Sequence, residues 1–315
     1  MNSVLELVTS ILECSIRIAT PLGYASLAEL LLEKSGIRNL SLDGLMLLSA
    51  LVGFISAYYT SENLLIGFIA GILTGISAAL FFGFVVIKLK VESNIAGMIL
   101  AILYSGISLA THRLVFKEFA SPPSIKNVLS PLSIPLLSNI PVLNALFNQP
   151  IFTLLLFLII FPLTYYFLEK TFYGLKIKAI GMDFVNAKYL GVPVIKFWLI
   201  ILLIHGALAG IGGALYTLCL YNMYLDGITG GAGWLAIAFA ILGNWKTLRM
   251  LLSLMLFALV DSIQLRLMAM GIVKIPHQFL LMMPFIFAFI TLTVVAVIYK
   301  RIPEPASLRK GLKEL

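Results

Sequence analysis

Long stretches almost free of charge recur along this chain, as in "LLIGFIAGILTGISAALFFGFVVI" at residues 64–87. A helix needs about 20 such residues to cross ~30 Å of hydrocarbon. Inside lipid every backbone N–H and C=O must be bonded within the protein, so only helices or closed barrels cross. Barrel strands alternate apolar and polar residues, and these stretches do not. Of 315 residues 61% are apolar and 11% charged, against roughly 25% charged in a soluble domain. The fold class expected is therefore an all-α polytopic membrane protein. About nine transmembrane helices are expected, near 4–32, 43–60, 63–87, 93–112, 150–169, 196–220, 232–247, 249–270 and 278–299.

Lysine and arginine set the orientation, because they concentrate on the cytoplasmic side of a membrane. One set of connections carries 16 of the 22 basic residues, including Lys170, Lys176, Lys178, Lys188 and Lys196. The opposite set carries five (Arg113, Lys117, Lys126, Arg266 and Lys274), and Arg17 lies within a span. The expected placement is a multi-pass protein of the cell membrane, N-terminus outside and C-terminus cytoplasmic. The net charge of +8 is then a topology signal and calls for no nucleic-acid partner. Residues 1–315 read as a single transmembrane domain, with a long Pro- and Ser-rich extracellular connection at 113–149 and a polar cytoplasmic segment at 171–196. The first apolar run holds Glu6, Glu13 and Arg17 with no basic stretch before it, the pattern of a retained helix rather than a cleaved signal. Cys14 and Cys219 lie in apolar runs and read as buried small hydrophobes.

No catalytic or cofactor motif stands out. The chain has no G-x-x-x-x-G-K-[ST] phosphate loop and no H-E-x-x-H, and His112, His205 and His277 are scattered. No enzyme activity, metal or cofactor is expected. Ionisable residues within spans are costly and are the candidates for a translocation path. Glu13 and Arg17, four apart, either neutralise one another or line a path. Asp261 and Gln264, three apart, either face a cavity or tie two helices together. Asp43-Gly44 and Asp226-Gly227 read first as helix N-terminal caps. Asn94, opening the fourth span, completes the candidate path. "GALAGIGGALYTL" (206–218) places Gly206 and Gly210 four apart, which lets helix backbones approach closely. "SLDGLMLLSA" (41–50) and "YLDGITGGAGWLAIAFA" (224–240) open spans on opposite faces, as an inverted repeat would.

The segment "FYGLKIKAIGMDFVNAKYLGVPVIK" (172–196) interrupts two apolar runs. Its second half reads as a short amphipathic helix ended by Gly191 and Pro193. On the cytoplasmic face, in a chain with no nucleotide loop of its own, it is a surface against which a separate motor can push.

At these residues the sequence resembles a known family. "ATPLGYASLAELLLEKSGIRNLSLDGLMLLSA" (19–50), "FFGFVVIKLKVESNIAGMILAIL" (81–103), "GLKIKAIGMDFVNAKYLGV", "HGALAGIGGALYTL", "GWLAIAFAILGNW" and "DSIQLRL" follow in order. They are similar to the permeases of ABC importers of the branched-chain amino acid and simple sugar group, nearest its nucleoside-type branch. The resemblance implies that Gly174, Lys178, Gly181, Ala187 and Gly191 belong to an ATPase-coupling helix. It implies four partners: cytoplasmic ATPase subunits, a second permease chain (identical or not), an extracytoplasmic substrate-binding lipoprotein and a small polar solute. Nucleosides lead, with a monosaccharide or branched-chain amino acid as the alternative. Asn186, Asp183 and His205 depart from the family pattern, which has Ala, Asn and Ser there. A rival reading is an ion-coupled secondary transporter with Asp261 as its protonatable relay.

Overall fold

The computed structural model describes residues 2–116, 123–132, 144–145, 147–270, 277–299 and 304–308. These residues form helices and no named strand. The helices are α1 (Asn2–Lys34), α2 (Leu42–Tyr59), α3 (Leu64–Lys88), α4 (Ser93–Phe116) and α5 (Ile151–Lys170). After α6 (Phe172–Met182) and α7 (Phe184–Tyr189) come α8 (Val194–Leu220), α9 (Ala232–Leu242), α10 (Thr247–Met270) and α11 (His277–Tyr299).

A helix thus occupies each of the expected apolar stretches. Among the described residues six of them, α2, α3, α4, α5, α8 and α10, are long and apolar enough to cross a membrane. Two of the other three differ for physical reasons. α1 has 33 residues, about 50 Å of helix, but carries charged residues along its length. α9 has 11 residues, about 16 Å, roughly half of a hydrocarbon core. α11 has 23 residues, about 35 Å of helix, and its stretch Gln278–Val294 is apolar.

α1 is the central pillar and packs against α8, α9 and α10. Its second half is almost wholly buried, with Ala19, Tyr24, Ala25, Leu27, Ala28 and Leu30 sealed from solvent. α3 and α8 pack backbone to backbone. A Cβ on Gly210 would stand 2.6 Å from the Gly71 carbonyl oxygen, and one on Gly206 2.6 Å from that of Gly75. The small-residue spacing read in α8 therefore meets a matching one in "GILTG" of α3. The faces turned outward remain apolar, for example Leu65, Ile69 and Leu73 of α3 and Met98, Ile99 and Ile102 of α4. A chain apolar both inside and out is built for lipid contact.

Three spans contain a π-helical turn, Phe84–Lys88 in α3, Leu156–Ile160 in α5 and Tyr216–Leu220 in α8. The one in α5 has a local cause. Pro162 has no N–H to offer the carbonyl one turn back, and the ladder shifts so that Phe161 N–H bonds Leu156 O. α4 runs to Phe116, one turn beyond the expected end at 112. Of the long connection that follows, 123–132 is strapped down: Ile125 N–H donates to Asn222 O at 2.8 Å, and Glu62 accepts from the amides of Lys126 and Asn127.

Candidate functional site

The helices that the two echoing stretches open meet each other inside the bundle by their N-termini. α2 begins at Leu42 and α9 at Ala232, and both residues are buried. Gly233 N–H, in the first turn of α9, donates to Asp43 Oδ1 at 3.0 Å. Gly233 lies so close to Asp43 that a side chain there would strike its backbone. Asp43 therefore does not cap its own helix. It caps α9, across 190 residues of sequence. The positive ends of two helix dipoles converge here, and the carboxylate offsets both. Asp226 is not a cap either: its Oδ1 lies 2.7 Å from His112 Nδ1 of α4.

Beside this junction runs the π turn of α8. Tyr216 and Tyr221 stack with centroids 6.3 Å apart. Tyr216 is within electrostatic reach of both Asp43 and Asp261, and Tyr221 of Asp261. On the other side of the same turn lies a small cleft of about 120 Å³, lined by Arg17, Thr20, Thr153 and Cys219 with Val128, Leu129 and Pro131. Arg17 Nη2 donates to Glu13 Oε1 at 2.6 Å, and Gln149 joins them, accepting from Arg17 and donating to Glu13 O. Thr20 and Thr153 bond across the cleft wall at 3.1 Å.

A second polar cluster lies toward the lysine-rich end and is closed to solvent. Glu29, Glu33, Asn39, Ser41 and His205 are buried. Glu33 Oε1 accepts from Arg38 Nε at 2.5 Å, and its other oxygen accepts from Trp245 Nε1. Glu29 Oε1 accepts from Asn39 N–H at 2.9 Å, and Asn39 Nδ2 stands 3.1 Å from His205 Nε2. His205 Nδ1 and Glu29 Oε2 face one another at 3.8 Å. The cluster joins α1, the 35–41 connection, α8 and the turn between α9 and α10.

The polar insert is fixed against that same end of α1. Thr171 Oγ1 accepts from Gly174 N–H and starts α6. Asp183 ends α6 and starts α7, accepting from the amides of Val185 and Asn186 at 3.1 and 3.2 Å. The insert is thus two helices rather than a loop and one helix. Gly181 lies against the Lys34 carbonyl with no room for a side chain. Ser307 donates to Ile180 O, Phe184 packs on Trp198, and Trp198 Nε1 donates to Ser35 O. Tyr189 and Leu190, at the tip of α7, are each 84% exposed.

Comparison with known proteins decides what this architecture is. Residues 11–292 match the family described as branched-chain amino acid transport system / permease component. The chain belongs to that family. A Haloferax volcanii protein named for glucose ABC transport, permease TsgC13, is 33% identical over 85% of this chain and 80% of its own length. The nucleoside ABC transporter permease NupC of Lactococcus lactis is 26% identical over 88% and 89%. The guanosine ABC transporter permease NupQ of Bacillus subtilis is 24% identical over 92% and 93%. No solved structure gives a significant match. The protein is a multi-pass permease of the ABC transporter type, and the ion-coupled reading of Asp261 falls away as the primary drive.

The permease draws some of the sequence-predicted residues together and separates others. Glu13 and Arg17 pair beside the cleft, and Asp43 and Asp261 flank the π turn of α8. Gln264 is buried but bonds within its own helix, to Met268 Sδ. Asn94 bonds Glu92 in the first turn of α4 at the lysine-rich end, and Asp226 is held by His112. Among the insert residues Lys178 pairs with Glu169 at 2.6 Å, Ala187 is buried, and Gly191 takes φ +80° in the turn that closes α7. Sequence reasoning missed Gln149, Thr20 and Thr153 at the cleft. It also missed the Glu33–Arg38–Trp245 network. A signal for that network existed: Glu29 and Glu33 sit four apart on one apolar helix, and like charges so placed need partners.

Proposed function

We propose that this permease forms the pore of an ABC importer for nucleosides together with a second permease chain, identical or not. Its N-terminus lies outside and its C-terminus in the cytoplasm. Cytoplasmic ATPase subunits dock on α6–α7, an extracytoplasmic lipoprotein delivers the solute, and α1, α11 and, with its flanking turns, α9 add to the spans to give the odd number that this orientation requires. The observation that carries this reading is the insert. One side of it is anchored to the end of α1 by Gly181, Ser307 and Trp198. The other side ends in two large apolar residues open to water, which is the form of a surface awaiting a partner. Force applied there reaches Ser35–Ser41, and through that connection the junction of α2 and α9. The meeting of the N-termini of α2 and α9 at Asp43 and Gly233 supports an inverted repeat, the plan in which helix N-termini converge at a transport site. Glu13, Arg17, Asp43 and Asp261 line the path, and a cleft holding an internally neutralised ion pair suits an uncharged polar solute.

A monosaccharide is the second reading, favoured by the relative named for glucose. The test is uptake into vesicles holding permease, ATPase and receptor. Labelled uridine or adenosine enters when ATP is supplied. No nucleoside uptake alongside intact ATPase activity ends the nucleoside assignment, and glucose uptake under the same conditions installs the sugar. Docking is tested with Tyr189→Asp plus Leu190→Asp, which alters the exposed tip without touching buried Ala187. Uptake falls at least tenfold with permease levels unchanged; normal uptake by this variant removes α7 from the coupling role.

A further inference from the structure

We propose that an anionic phospholipid binds the permease in a cleft at the lysine-rich end of α8, its phosphate between Lys176 and Lys196. The cleft holds about 480 Å³ and runs between α5, α6, α8 and α1. Its walls are apolar, with Leu31, Phe167, Ile177, Ile201 and Ile204 among them. Its charged groups are the two lysines, both at the end where α6 and α8 begin. On α8 the lining runs from Lys196 to Ile204, about 12 Å of helix. That is close to the ~15 Å hydrocarbon depth of one leaflet, so an acyl chain laid on this face keeps its headgroup level with the lysines.

The charges define the occupant. Neither lysine has a carboxylate within ion-pair distance among the described residues. Lys176 Nζ instead lies 4.5 Å from the Phe172 ring centroid and 5.8 Å from that of Phe197. Its neighbour Lys178 is neutralised by Glu169, so the uncompensated positive charge falls at the cleft mouth. Phe172 and Tyr173 are exposed beside it, as aromatic side chains are at a headgroup boundary. Two unpaired cations above an apolar trough match one phosphate above an acyl chain, and basic pockets between helices hold anionic headgroups in this way.

The test measures lipid retained by the full-length permease in its assembled complex, by native mass spectrometry after detergent extraction. The probes are 1-palmitoyl-2-oleoyl phosphatidylglycerol and the phosphatidylcholine with identical chains. The wild type retains the anionic lipid at least fivefold over the zwitterionic one. Lys176→Gln with Lys196→Gln abolishes that preference, whereas Lys88→Gln with Lys90→Gln, outside the cleft, preserves it. Ile200→Trp fills the trough with both lysines intact and lowers retention of both lipids. Equal retention of the two lipids by the wild type overturns the proposal, as does an unchanged preference in the double variant. A cross-link between two permease chains through Ile200→Cys also overturns it, because the trough is then a subunit interface.

Discussion

The helix α1 carries an ionic cluster at each end, and the two are built differently. Toward its start, Glu13 and Arg17 pair one turn apart with side chains 29% and 41% exposed. Toward its end, Glu33 is sealed and is held by Arg38 and by Trp245, 212 residues away. The first pair belongs to one helix and would form in that helix alone. The second exists only when the 35–41 connection, α8 and the α9–α10 turn have all closed around it. Charge near the cleft is therefore adjustable, and charge near the insert is part of the frame.

The largest effect expected follows from that frame. Glu33→Ala leaves Trp245 N–H without its acceptor and leaves the Arg38 guanidinium only Glu304, at 4.0 Å, within ion-pair distance. Breaking a buried pair by removing one partner costs about 3–5 kcal/mol. A chemical-denaturation midpoint on the detergent-purified complex measures it. Replacing both partners, Glu33→Gln with Arg38→Met, recovers at least half of the loss. If Glu33→Ala costs no more than Glu13→Ala, the contrast between the two ends of α1 is gone.

His205 sharpens the contrast at an intermediate size. His205→Ala removes the group beside Asn39 Nδ2 at 3.1 Å and leaves a buried donor unmet, a cost of about 1–3 kcal/mol. His205→Gln, which restores an acceptor, is milder than His205→Ala by the same denaturation assay. Equal losses for the two variants point to packing volume rather than the hydrogen bond as what His205 supplies.

The sequence made one end of α1 readable and hid the other. A spacing of four on a helix fixes neighbours, so Glu13 with Arg17 and Gly206 with Gly210 were legible. The apolar runs located the helices for the same reason, because length and charge are local properties. Asp43 was legible as a helix cap but not as the cap of α9, because its partner comes from a turn far along the chain. Gln149 and Trp245 gave no periodic signal: each acts through one side chain brought in by tertiary packing. The tip of α7 was visible as an amphipathic stretch, but the division of the insert into two helices depended on Asp183 serving both.

The smallest structural effect is expected at the Glu13–Arg17 pair, and its smallness is informative. Half-exposed pairs of this spacing contribute about 0.2–1 kcal/mol, and salt weakens exposed charges over about 8 Å at 0.15 M. Arg17→Gln thus shifts the denaturation midpoint little, and less still at high salt. Arg17 also lines the cleft, so the same substitution leaves a bare carboxylate at Glu13 facing the solute. Apparent KM for uptake rises several-fold while the ATPase rate of the complex stays within a factor of two. Glu13→Gln with Arg17→Gln removes the bare charge and brings KM part of the way back. A destabilisation matching that of Glu33→Ala makes both ends of α1 structural, whereas an unmoved KM takes Arg17 off the solute's path and leaves Asp43 and Asp261 to carry it.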